Sequence, residues 1–165
     1  MDATTDSTDL GSARLQGVLD HFRDEPAVAW MVAAGAVIQT YKVISQRAEA
    51  VLGEIGDLTM ARYEILGWLD RAGAKGMAVG QLKDATFLRA PTLTYTIDAL
   101  ERRSLVRRGV HPTDRRSTLV VITPAGRGVF AHASAALGKV HFGLLGVDAA
   151  DAAAVRDVLA RAHQP

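Results

Sequence analysis

Seven arginines lie between positions 89 and 116 (Arg89, Arg102, Arg103, Arg107, Arg108, Arg115, Arg116), facing only Asp98, Glu101 and Asp114, a local balance of +4. A guanidinium is a permanent planar cation with a fork of donors, suited to holding carboxylates and phosphates. The chemistry this stretch offers is therefore anion recognition. Catalysis has no comparable support. His21, His111, His132, His141 and His163 are scattered, and none stands in a nucleophile motif. His132 and His141 lack metal-ligand helical spacing. The absence of cysteine excludes disulfides, thiolate redox sensing and cysteine-based zinc sites. No catalytic residue, metal site or cofactor is expected.

Two kinds of element must carry these arginines. In Pro91–Thr123, Leu93, Ile97, Leu100 and Ser104 fall on one helical face, and Pro91, Tyr95, Asp98 and Arg102 centre on the opposite face. That predicts a short helix with one buried side. From Leu105 the pattern becomes two β-prone segments, LVRRGV and STLVVIT, separated by HPTDRR, whose Pro and Asp favour a turn. The expectation is a helix followed by an arginine-tipped hairpin. Arg107 and Arg108 are adjacent on the first strand, so they point to opposite faces and at most one meets a common ligand.

The flanks read as helical. Pro26 suits the first turn of a long helix, in which Trp30, Ala34, Val37, Tyr41, Ile44, Ala48 and Val51 alternate steps of four and three. Such a seam requires a partner helix, from the same chain or from a second copy. Gly53 and Gly56 end it, Asp57 or Thr59 can cap the next helix, and Ala61, Ile65, Leu66 and Leu69 form that helix's inner face. Gly73 and Gly76 follow, then a short segment from Met77 to Ala85 in which Val79 and Leu82 are apolar. Three short helices joined by tight turns, the last one basic, make a helix-turn-helix candidate. Thr123–Pro124 starts an alanine-rich helix expected to run to about Leu145, and Asp148 caps a last one with Val155, Val158 and Leu159 on its inner side.

With 165 residues and a net charge of only +1, the protein is not basic all over. Charge is instead segregated, because residues 1–25 carry a balance of −4. The start, MDATTDSTD, lacks a secretory signal, and no uninterrupted apolar run is long enough to cross a bilayer. A cytoplasmic protein without membrane attachment is expected.

The segments LTMARYEILGWL, APTLTYTIDALERRSLVRR and DRRSTLVVITPAGR, with the closing helix, resemble the MarR family of transcriptional regulators from Leu58 to Leu159. The PT-x-T helix opening, the LV-R-R strand, the D-R-R-S wing tip and the T-P-A-G-R helix start are in the family's order. The resemblance implies a mainly α fold with a small β hairpin: a winged helix-turn-helix in a homodimer. Composition and the spacing of Leu15, Val18, Leu19 and Phe22 give an acidic tail with a short helix at 1–25; the resemblance would make 26–56 a dimerisation helix, 57–123 the DNA-binding region and 124–165 the C-terminal dimerisation helices. It also implies a repressor on a palindromic double-stranded operator, released by a small, often aromatic or anionic, ligand.

Carried over residue by residue, Pro91, Thr92, Thr94 and Tyr95 would open the recognition helix in the major groove, flanked by the cations Arg89 and Arg102. Asp114 would orient the wing, with Arg115 or Arg116 entering the minor groove, where arginine meets enhanced negative potential. His21, Trp30 and Tyr63 are the candidates to line a ligand pocket, although Trp30 and Tyr63 equally suit plain core packing. Several positions depart from the family pattern: Lys83 for a small residue, Thr86 for a large aliphatic, Arg89 for the capping Ser and Ser104 for a glycine. The missing cysteine excludes the peroxide-sensing branch, and Thr96 replaces the arginine expected in the urate-responsive branch. A winged-helix module that binds protein rather than DNA is the alternative, and paired arginines beside Asp114 argue against it.

Overall fold

The computed structural model describes residues 17, 26–86, 88–110 and 117–162. His21 and the wing-tip residues Asp114, Arg115 and Arg116 lie outside them, as do the acidic tail and its expected short helix, apart from Gly17. The chain divides into two compact units, Met1–Ile44 and Ser45–Pro165, with the division inside the first long helix, α1 (Pro26–Gly53).

In the first unit, the helical seam is not covered. Trp30 is 81% exposed and Tyr41 69%, with Met31, Val37 and Ile38 also exposed. By length and composition alone, Val28–Gly53 is long and apolar enough to cross a membrane, with a mean hydropathy of 1.3. Lys42, Arg47 and Glu49 punctuate the helix, so its apolar residues do not form one uninterrupted run.

The second unit begins with the end of α1, where Ala48 and Leu52 are fully buried. Next come α2 (Met60–Ala72), β1 (Met77–Ala78), α3 (Val79–Thr86), α4 (Ala90–Arg102), β2 (Val106–Val110), β3 (Thr118–Ile122), α5 (Pro124–Lys139) and α6 (Ala149–Ala162). Thr59 caps α2 by accepting from the Arg62 N–H, and Ile65, Leu66 and Leu69 bury its inner face, as their spacing predicts. These side chains meet Leu82 of α3, Leu93, Ile97 and Leu100 of α4, Val120 and Ile122 of β3, and Ala133 and Leu137 of α5 in one core.

The expected hairpin is the larger part of an antiparallel sheet ordered β1-β3-β2 among the described residues. Val106 pairs with Ile122 and Val110 with Thr118, while Met77 on the other side pairs with Val120. Gly76, at φ +64°, makes that third pairing possible: a Cβ there would sit 2.4 Å from the Val120 carbonyl oxygen. Gly126 is a second close approach. A Cβ on it would lie 2.0 Å from the Leu105 carbonyl oxygen, so only glycine lets the first turn of α5 rest on the turn after α4.

Three expectations are corrected. Ser104 does not extend the inner face of α4; it lies exposed beyond the helix at φ +57°. The Leu105 N–H donates to the Leu100 carbonyl and the Ser104 N–H to that of Glu101, a Schellman turn with serine where glycine is usual. Helix α5 stops at Lys139, short of Leu145, because His141 (φ +48°), Phe142 (φ +53°) and Gly143 (φ +87°) turn left-handed. That turn sets the Phe142 ring 6.5 Å from the Tyr63 ring and hands the Gly143 carbonyl to Arg47 Nη1 at 2.9 Å. Finally, Val155 and Val158 of α6 are exposed rather than on an inner side.

Candidate nucleic-acid interface

Helix α4 is held from beneath and open above. Leu93, Thr96, Ile97, Ala99 and Leu100 are buried, whereas Pro91, Thr92, Thr94 and Tyr95 are exposed, Tyr95 at 63%. The Thr96 hydroxyl is satisfied within the helix, donating to the Thr92 carbonyl at 2.7 Å. Proline in the first turn fixes φ without wasting an N–H group. The N-cap is Arg89, with extended φ/ψ and no side-chain cap hydrogen bond. A guanidinium has no acceptor to offer, so the first N–H groups of α4 are left for an outside acceptor such as phosphate oxygen.

The other cations sort themselves by burial. Arg89, Arg102, Arg103 and Arg107 are exposed, as is Lys83 of α3. Arg108 is half-buried and committed: Nη2 is 2.6 Å from Asp98 Oδ1 and Nη1 is 2.7 Å from Glu101 Oε2. These two carboxylates hold its guanidinium above the usual arginine range against the opposing effect of burial. Of the adjacent pair on β2, Arg107 is therefore the one turned to solvent. Thr86, unusual for its position, is buried with its hydroxyl donating to the Leu82 carbonyl, so its polarity costs little there.

Among the ligand-pocket candidates, Trp30 is exposed in the first unit, and His21 is outside the described residues. Tyr63, in the second unit, is half-buried and stacked on Phe130 with ring centroids 5.1 Å apart, its hydroxyl 3.1 Å from Ser134 Oγ. An open groove of about 390 Å³ lies elsewhere, between α3, α4 and the root of the wing, with Gly80, Thr94, Ile97, Arg108 and Thr118 in its walls. Sequence reasoning missed the joint role of Asp98, Glu101 and Arg108. A signal existed, two acids three residues apart on α4 and an arginine just past the turn, but only the turn's geometry shows that they meet.

A recognition-type helix with an open N-terminus, packed on two further short helices and followed by an antiparallel wing, defines a winged helix-turn-helix protein. The MarR family's sequence profile matches residues 56–117. The helix-turn-helix-type regulator YsmB of Bacillus subtilis is 29% identical over 87 residues, covering 53% of this chain; the chain spans 58% of that protein's length. Among solved structures, the MarR-family regulator Sco5413 of Streptomyces coelicolor superposes with a TM-score of 0.72 at 28% identity, over 81% of this chain and 92% of that one. BpsR of Bordetella bronchiseptica shares the fold at 23% identity, with a TM-score of 0.66 over 80% of this chain and 98% of that one. Residues 56–117 thus carry the MarR family's pattern, and the chain has the winged-helix fold of MarR-family transcriptional regulators.

Proposed function

We propose that this protein is a sequence-specific double-stranded DNA-binding regulator that acts as a homodimer on a palindromic operator, as a repressor released by a small aromatic or anionic ligand. One observation carries the DNA reading. Pro91, Thr92, Thr94 and Tyr95 stand exposed at an uncapped helix N-terminus while the opposite face of α4 is locked in the core. Short hydroxyl side chains there reach phosphates and base edges, and Arg89 and Arg102 supply cations at the two ends of the helix. In this reading Asp114, Arg115 and Arg116 complete the wing in the adjacent minor groove.

The homodimer is supported by the exposed apolar side chains of α1 and α6, among them Trp30, Tyr41, Val155 and Val158. Burial in lipid is a poorer account of α1. Ala48 and Leu52 belong to the folded core, and Lys42, Arg47 and Glu49 lie within the apolar span Val28–Gly53. A soluble, cytoplasmic regulator follows. The release step is supported by analogy: DNA binding by BpsR is regulated by 6-hydroxynicotinic acid. Here Tyr63 is the proposed contact within the second unit.

The decisive experiment is a mobility-shift titration at physiological salt with the DNA flanking the protein's own gene against a scrambled duplex. A specific complex about 1,000-fold tighter than the nonspecific one is expected. Equal, weak binding to both would overturn the reading in favour of a winged-helix module that binds protein.

A further inference from the structure

We propose that Arg108 is a positioning residue that sets the rotation of α4 against the wing, and that Asp98 and Glu101 are its partners in this rather than elements of the DNA surface. The inference rests on the DNA-binding reading above.

Two acids in the second half of a helix offered to a polyanion are electrostatically misplaced. They face the negative end of the helix dipole and would repel phosphate. Their geometry explains their presence. Arg108 is the middle residue of the edge strand β2, paired in register with fully buried Val120 of the central strand, which β1 braces from the other side through Met77. Because β2 is an edge strand, the Arg108 N–H is free to leave the ladder, and it donates to Glu101 Oε1 at 3.0 Å. Nη1 donates to the second oxygen of the same carboxylate at 2.7 Å, and Nη2 reaches Asp98 at 2.6 Å.

Three contacts from one residue of a rigid sheet thus grip two successive turns of α4. Asp98 lies four residues after Thr94 and three after Tyr95, so the grip falls directly below the side chains offered to base edges. A fork that bridges two carboxylates fixes rotation about the helix axis as well as distance, which a point charge cannot do. A rotation of α4 by one residue's offset would turn Thr94 and Tyr95 away from the groove.

The test uses the full-length chain with Arg108→Lys, Arg108→Gln, the pair Asp98→Asn with Glu101→Gln, and the triple combination. Each is measured against operator and scrambled duplexes, with circular dichroism confirming that the folded state persists. The expected result is a loss of about tenfold in operator affinity for both Arg108 variants and for the carboxylate pair, with no further loss in the triple variant. Affinity for scrambled duplex should change little, so the specificity ratio collapses. Three results would each overturn the proposal: an equal loss on both duplexes, the pattern of a phosphate contact; full operator affinity in Arg108→Lys; or tighter operator binding by the carboxylate pair. Failure of the unmodified protein to prefer any operator would show separately that the DNA reading itself is wrong, and this proposal would fall with it.

Discussion

Helices α4 and α6 have nearly the same length, 13 and 14 residues, and each alternates apolar with polar positions at a helical period. Helix α4 buries five of its residues, while α6 buries none and leaves Val155 and Val158 half exposed. The difference lies in their surroundings. Helix α4 is enclosed by the core of α2, α3 and the sheet, whereas α6 follows the left-handed turn at His141–Gly143 and buries no side chain among the described residues. The contrast teaches that an amphipathic pattern specifies a face to be covered and does not specify by what. In α4 the chain supplies the cover; for α6 and the first half of α1 the proposed function assigns it to a second copy.

That contrast can be broken or sharpened by mutation. Leu100→Ala in α4 should cost about 3 kcal/mol in urea unfolding, whereas Val158→Ala in α6 should stay within about 0.5 kcal/mol at protein concentrations that favour monomer. Comparable losses at the two sites would mean that α6 packs within its own chain. Trp30→Ala should leave that monomer unfolding unchanged and raise the dimer dissociation constant about 30-fold in sedimentation equilibrium, the behaviour of a buried aromatic anchor across an interface. An unchanged constant would remove the seam of α1 from the interface.

Smaller effects probe how α4 is joined to its neighbours. Thr123 caps α5 through the Gly126 N–H and its hydroxyl points at the Ser104 and Leu105 carbonyls, so Thr123→Ala should cost about 1.5 kcal/mol of unfolding free energy. Thr123→Ser, which keeps the hydroxyl, should recover most of it. The smallest expected effect is a gain. Arg89→Ser supplies the cap that α4 lacks and should stabilise the fold by about 1 kcal/mol in thermal unfolding. If Arg89 is a phosphate contact, the same change lowers the salt dependence of DNA binding by about one unit of slope.

Much of this architecture was legible in the residues. The inner faces of α2 and α4, the caps at Thr59 and Thr123, and the two strands around HPTDRR were all readable, because periodicity and capping chemistry are local. The Arg89 cap without a hydrogen bond and the left-handed Ser104 were also readable as departures from a pattern. Strand β1 was not, since two residues carry no period of their own and exist as a strand only because β3 pairs with them. The early stop of α5 was hidden for a similar reason. A left-handed His141–Phe142 runs against local preference and is accompanied by the Tyr63 ring contact and the Arg47 hydrogen bond.

The sequence by itself determined that the arginine-rich stretch is a helix and hairpin built to meet an anion, because residue type and spacing suffice to set burial period, turn and charge. Only the tertiary structure decided how those arginines divide. Arg107 faces solvent, while Arg108 is spent on Asp98 and Glu101. Which cation is paired depends on how the Schellman turn at Ser104 folds β2 back along α4, a relation between elements that no single element's pattern contains.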